Sequence, residues 1–171
     1  LIYKLIPILK LYHQHHPIKM KPLIVLLASF LIVLLVLYFR RKQIKWQLAG
    51  QIAMAAMLLF TSLGHFMFTE GMAAMMPEFI PLKKEMVYFT GVMEILFAIG
   101  LLIPRLKTPT AWLLMLFFIL ILPANIKAAV ENINYQTGEL NSSGIDYLWF
   151  RVPLQIIFIL WVYFTTLKKI E

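Results

Sequence analysis

An all-α membrane protein is the fold that this chain predicts, and three observations predict it. Hydrophobic residues make up 61% of its 171 positions and charged residues 14%, against roughly 45–50% and about 25% in an ordinary soluble domain. Five segments come close to or exceed the roughly 20 apolar residues that a helix needs to cross a bilayer. None of them alternates with the period of two of a barrel strand, so a helical bundle is the remaining way to satisfy the backbone in lipid.

The expected spans are 22–39, 47–68, 87–103, 109–128 and 147–167. The first runs from Pro22 to the cluster Arg40, Arg41, Lys42 and Lys45, and the second from that cluster to Glu70. The third lies between the charged stretch Lys83, Lys84, Glu85 and the turn Pro104-Arg105. The fourth follows Lys107, and the fifth ends at Lys168 and Lys169. Pro123 and Pro153 fall inside helical runs, where each removes a backbone donor and frees the carbonyl four residues earlier, at Ile119 and Trp149. Kinks at these two positions are expected to shape cavities.

Basic residues concentrate in cytoplasmic loops. The connections after the first and third spans, and the tail after the fifth, are therefore expected in the cytoplasm. The segment 131–146 has no Lys or Arg, and 70–86 sets only Lys83 and Lys84 against Glu70, Glu78 and Glu85, so both read as external. Lys4, Lys10, Lys19 and Lys21 before the first span oppose this orientation unless the segment 1–11 lies in the interface with Lys4 and Lys10 reaching out of an apolar body. A removable secretory signal is not expected, because the first apolar run ends in Tyr38-Phe39-Arg40-Arg41 without small residues for cleavage. In the first external loop Met72, Met75 and Met76, flanked by Pro77, Phe79, Ile80 and Pro81, read as an amphipathic cover lying on the bundle or as an ordinary interfacial segment.

A formal charge of +8 belongs to these loops rather than to a nucleic-acid surface, since no soluble segment carries a basic stripe with interleaved aromatics. The absence of cysteine excludes disulfides, thiol catalysis, cysteine-held iron–sulfur clusters and cysteine-type zinc sites within the chain. No hydrolase signature, phosphate loop or dinucleotide fingerprint is present. His13, His15 and His16 form a short tract without a nearby carboxylate, and no metal site is expected there. The four tryptophans lie mostly near span ends, as interface anchors do.

Glu94 is the exception that singles out a site. A carboxylate in the middle of a membrane helix is costly and is a functional candidate by default. It lies roughly 10 Å below the external end of its span at 1.5 Å per residue. By the same rise Arg151 lies about 6 Å and Gln155 about 12 Å down the fifth span, spaced i, i+4 on one face. His65 and Asn125 fall in the last turns of spans that run the other way. Gly91 and Ala98 flank Glu94 with small residues, as expected where helices approach closely or a ligand needs room. Thr61 and His65 share a stripe of the second span. Two readings stand side by side: Glu94 pairs with Arg151 in a network with Gln155 and Asn125 that only orders the helices, or these groups line a pocket in the outer half of the membrane. An ion or proton path is opposed by the gathering of the charges in one half.

The motifs His65-Phe66, Pro77 with Pro81, Gly91-Val92-Met93-Glu94, Pro123-Ala124-Asn125 and Arg151-Val152-Pro153-Leu154-Gln155 together resemble the DoxX and DoxX-like family of small bacterial membrane proteins, from about residue 47 to 167. Thr90 stands where a serine is usual. The resemblance implies a four-helix membrane domain over 46–171, with 1–45 as an amino-terminal segment and added helix, in a bacterial inner membrane. Relatives in that family include a subunit of an archaeal thiosulfate:quinone oxidoreductase and proteins linked to membrane redox complexes. The function expected on this basis is binding of a quinone or lipid-like molecule in connection with membrane redox. Glu94 and His65 are the candidate catalytic, proton-handling pair, and Arg151, Gln155, Asn125, Gly91 and Thr61 the candidate ligand-binding residues. The expected partners are membrane lipid, a small hydrophobic ligand and redox-complex subunits; the cofactor is left open, with quinone as the candidate, and no metal is expected. The alternative is a non-catalytic accessory or assembly subunit.

Overall fold

The computed structural model describes residues 21–42, 45–140 and 144–168. The expected interfacial segment 1–11 and the tract His13, His15 and His16 lie outside the described residues. The helices are α1 (Lys21–Arg41), α2 (Trp46–Met67), α3 (Thr69–Ala74), α4 (Lys83–Leu102), α5 (Lys107–Leu120), α6 (Leu122–Val130) and α7 (Ile145–Val162), closed by a π-helical turn at Tyr163–Leu167. Among the described residues there is no strand. Five helical stretches among the described residues, with α5 and α6 counted as one, are long and apolar enough to cross a membrane, which makes this a multi-pass helical membrane protein.

Two boundaries differ from the sequence expectation for physical reasons. α4 begins at Lys83, four residues before the apolar run, because hydropathy measures the length that lipid tolerates whereas a helix continues through charged residues into water. The fourth span is broken at Ile121, with Pro123 in the first turn of α6. There the missing backbone donor has no intrahelical partner to lose, so the expected kink takes the form of a break. Pro153, by contrast, lies inside a continuous α7.

Packing is closest between α2 and α4, and α1 lies along α2. The common core takes Ala53, Met54, Met57 and Leu58 from α2, Phe97 and Leu101 from α4, Leu114 and Phe118 from α5, and Leu154, Phe158 and Val162 from α7, with Leu26 of α1 also in it. The outward faces are apolar as well: Ile24, Leu31, Ile32 and Leu35 of α1 and Trp112, Leu113, Leu116 and Ile119 of α5 are exposed. A surface this apolar exceeds what a soluble monomer carries and suits lipid.

The two ends of the bundle are built differently. At the end with the short connections and Lys42, Lys45, Arg105 and Lys168, glutamines of α2 close the end of the last helix. Gln51 Nε2 donates to the Thr165 carbonyl at 2.9 Å and Gln47 Nε2 to that of Lys168 at 2.9 Å. Trp161 Nε1 donates back to the Gly50 carbonyl at 3.1 Å. The last carbonyls of a helix have no partner inside it, and these side chains supply one.

At the opposite end the two long connections fold over the bundle and against each other. Met75, Ala128, Ala129 and Ile133 form a small second apolar cluster, and Phe68 meets Tyr135 edge to face at 6.1 Å. Gly71 packs directly on the backbone of the other connection, where a Cβ would lie 2.2 Å from the Tyr135 carbonyl oxygen. Lys127 of α6 ties the cover down. Its Nζ donates to the Met76 carbonyl at 3.0 Å and stands 3.3 Å from Glu78 Oε1.

Candidate functional site

Beneath this cover lies a cavity of about 410 Å³, within the roughly 300–1,000 Å³ of small-molecule sites. Its walls are mostly apolar: Phe60, Leu63, Met67 and Phe68 from the end of α2, Met72, Met75 and Met76 from the cover, and Ile121 at the helix break. Methionines suit such a wall because an unbranched thioether adapts to irregular shapes. Polar groups interrupt it at a few points, among them Thr61, His65, Thr90, Glu94, Asn125 and Arg151.

Glu94 is buried, with 5% of its surface exposed. Its near partner among the described residues is His65 rather than Arg151: Oε1 lies 3.5 Å from His65 Nε2, while Oε2 is buried with no hydrogen-bond partner. Gly91 explains the pairing. A Cβ at that position would stand 2.8 Å from His65 Cβ, so only glycine lets α2 come near enough to α4 to set the imidazole beside the carboxyl group. The other ring nitrogen, Nδ1, is 3.1 Å from Thr90 Oγ1, and the Thr90 hydroxyl donates to the Val87 carbonyl at 2.8 Å.

Five of the seven residues singled out from the sequence line this one cavity: Thr61, His65, Glu94, Asn125 and Arg151. The Thr61 hydroxyl lies within hydrogen-bond distance of the carbonyls of Met57 at 3.2 Å and Leu58 at 3.1 Å, so its proton is spent on its own helix and its oxygen can only accept. Asn125 Nδ2 donates to the Ile121 carbonyl at 3.2 Å, beside the helix break. Gly91 acts from behind the wall through His65. Gln155 is also set back: its amide nitrogen donates to the Phe118 carbonyl and its Oε1 is buried without a partner. The sequence frees the carbonyl of Ile119, and the structure gives a side-chain partner to its neighbour, because the chain breaks at Ile121 and not at the proline.

Replacing Gln155 by leucine is therefore expected to lower stability by about 1 kcal/mol, the usual worth of a side-chain hydrogen bond between membrane helices, without changing what the cavity holds. Unfolding in mixed micelles and analysis of bound small molecules check the two halves of that expectation separately.

Sequence reasoning missed Thr90 as the group that orients His65, although its i, i+4 spacing to Glu94 on one helix face was a usable signal. It also missed Lys127, and the contributions of Tyr135 and Gln136 from the second connection and of Lys21 and Pro22 from α1 to the cavity wall. No local pattern announces these, since they depend on how distant segments fold over one end. Among the described residues no three His, Asp or Glu side chains gather as metal ligands would.

Residues 54–166 match the model of a family described as a domain of unknown function, DUF8561. The matched stretch begins within α2 and ends in the π-helical turn, so it takes in Glu94, His65 and the other lining residues except Lys21 and Pro22, and leaves α1 outside. No curated protein and no solved structure matches the chain.

Proposed function

This chain belongs to the DUF8561 family, described as a domain of unknown function, and from the chemistry of its cavity we propose that it holds a hydrophobic small molecule, a quinone or lipid-like compound, in connection with membrane redox. The observation that carries the reading is a cavity of small-molecule size, apolar in its walls, with the buried carboxyl group of Glu94 at its polar point and one carboxylate oxygen unpartnered. Ordering helices requires no such space, and a buried acceptor in a largely apolar wall is a cost that a ligand's donor would offset.

In this reading Met72, Met75, Met76 and the phenylalanines grip the apolar body, Glu94 and Asn125 meet the head group, and Arg151 adds a cationic wall. The cavity opens in the half of the membrane away from Lys42, Lys45, Arg105 and Lys168, the outer half if the basic loops are cytoplasmic. The link to redox, the bacterial inner membrane, and the description of α2 and α4–α7 as a DoxX-like domain with α1 added rest on the resemblance carried by His65-Phe66, Gly91 to Glu94 and Arg151 to Gln155.

Extraction of the purified protein followed by mass spectrometry of what it carries tests the proposal, with Ala124→Trp as a variant that fills the cavity from its wall. The expected result is a near-stoichiometric amphipathic compound in the native protein, lost in a variant that still folds. Bulk lipid alone in both would overturn the reading and favour an accessory subunit whose polar residues are structural.

A further inference from the structure

Hydrogen-bond bookkeeping around His65 determines what kind of head group the cavity takes. The Thr90 hydroxyl has one proton. Its 2.8 Å contact with the Val87 carbonyl requires that proton, because a carbonyl only accepts. The 3.1 Å contact between Thr90 Oγ1 and His65 Nδ1 is then satisfied only if Nδ1 carries a hydrogen and donates it to the threonine oxygen. This assigns the ring: Nδ1 is protonated, and Nε2 faces Glu94 Oε1 at 3.5 Å.

Two lone pairs facing each other in a buried site repel, so a proton belongs between Nε2 and Oε1. Whether it sits on the imidazole or on the carboxyl oxygen, the other oxygen of Glu94 has none. Oε2 is thus an acceptor in both states, and it is without a partner. Glu94 is among the residues that line the cavity, so a head group held there lies beside this carboxyl group.

Resting on the ligand-holding reading above, we propose that the cavity selects a head group that donates a hydrogen bond, a hydroxyl of the phenol or quinol type, over one that only accepts, such as a quinone carbonyl or an ether. An accepting head group leaves Oε2 unsatisfied and sets a further lone pair against it. A hydroxyl satisfies it outright.

The experiment compares a long-chain 4-alkylphenol with its methyl ether, matched in apolar body and differing in the one hydrogen, by titration calorimetry of the purified full chain in detergent. The phenol is expected to bind about tenfold or more tightly, since a hydrogen bond to a charged or proton-sharing carboxyl group is worth about 1.5–3 kcal/mol and each 1.4 kcal/mol is tenfold. Glu94→Leu should abolish that preference while leaving the ether's affinity in place. Thr90→Val, which removes the acceptor that fixes the His65 ring, should reduce it without touching the carboxyl group, and serves if Glu94→Leu does not fold. Measurable binding of both compounds with equal affinity, or tighter binding of the ether, overturns the donor preference and leaves the ligand-holding reading standing. Binding of neither, together with a native protein that carries only bulk lipid, overturns both.

Discussion

Gly71→Ala is expected to lower the stability of the protein by about 1–3 kcal/mol, the usual range for forcing extra atoms into a packed site, and to open the cover over the cavity. The reason is what the new methyl group meets. A Cβ at Gly71 falls 2.2 Å from the Tyr135 oxygen and 2.6 Å from its carbonyl carbon, and both are backbone atoms that no rotamer change can move. The two long connections must separate, and with them Met72 and Met75 on one side and Tyr135 and Gln136 on the other, all of which wall the cavity. Gly64→Ala is the matched control. Its nearest neighbour is the flexible end of Met72 at 3.5 Å, an ordinary contact, so little change is expected. Thermal unfolding of the two variants in the same detergent checks the contrast, and equal melting temperatures would rule out the close packing of the connections.

The second large effect is expected at Lys127. Lys127→Met keeps most of the apolar stem but removes the donor to the Met76 carbonyl at 3.0 Å and the pairing with Glu78 at 3.3 Å and Glu131 at 3.7 Å. The pair with Glu78 contributes little, because that carboxylate is almost fully exposed and exposed pairs are worth about 0–1 kcal/mol. The bond to the backbone is the larger part, and its loss leaves the Met76 carbonyl unpartnered, for a total of about 1–2 kcal/mol. The consequence is local. Backbone amides of 68–82 should exchange faster with solvent, and any small molecule in the cavity should leave faster, while α2 and α4 keep their protection. Hydrogen exchange read by mass spectrometry separates this from global destabilisation, in which all helices would lose protection together.

Both predictions concern contacts between distant segments that no local pattern announces, even where the methionines of the first connection suggest a cover, whereas the helices themselves were legible. Hydrophobic length alone located the five spans to within a few residues, because lipid imposes one requirement on every spanning segment and that requirement is visible as composition. Depth along each span, counted at 1.5 Å per residue, was enough to gather Glu94, His65, Asn125 and Arg151 at one end, where they line a single cavity with Thr61. Pro123 announced a disturbance of the fourth span, and the chain breaks two residues before it.

What the sequence could not determine is who touches whom at that end. Glu94 and Arg151 are opposite charges at neighbouring depths, so composition and depth favour their pairing, yet the carboxyl group lies against His65. The choice depends on helix order and rotation, and Gly91 permits the close approach of α2 to α4 that sets His65 beside the carboxyl group. Likewise Gln155 lies near the depth of Glu94 but is turned to the Phe118 carbonyl, because a broken helix leaves an acceptor that a buried amide must answer. The sequence by itself thus determined the helical membrane class, the stretches long and apolar enough to cross, and the level of the polar residues, all properties of single segments. The tertiary structure alone decided the pairing, the cavity and its cover, because these depend on contacts between segments far apart in the chain.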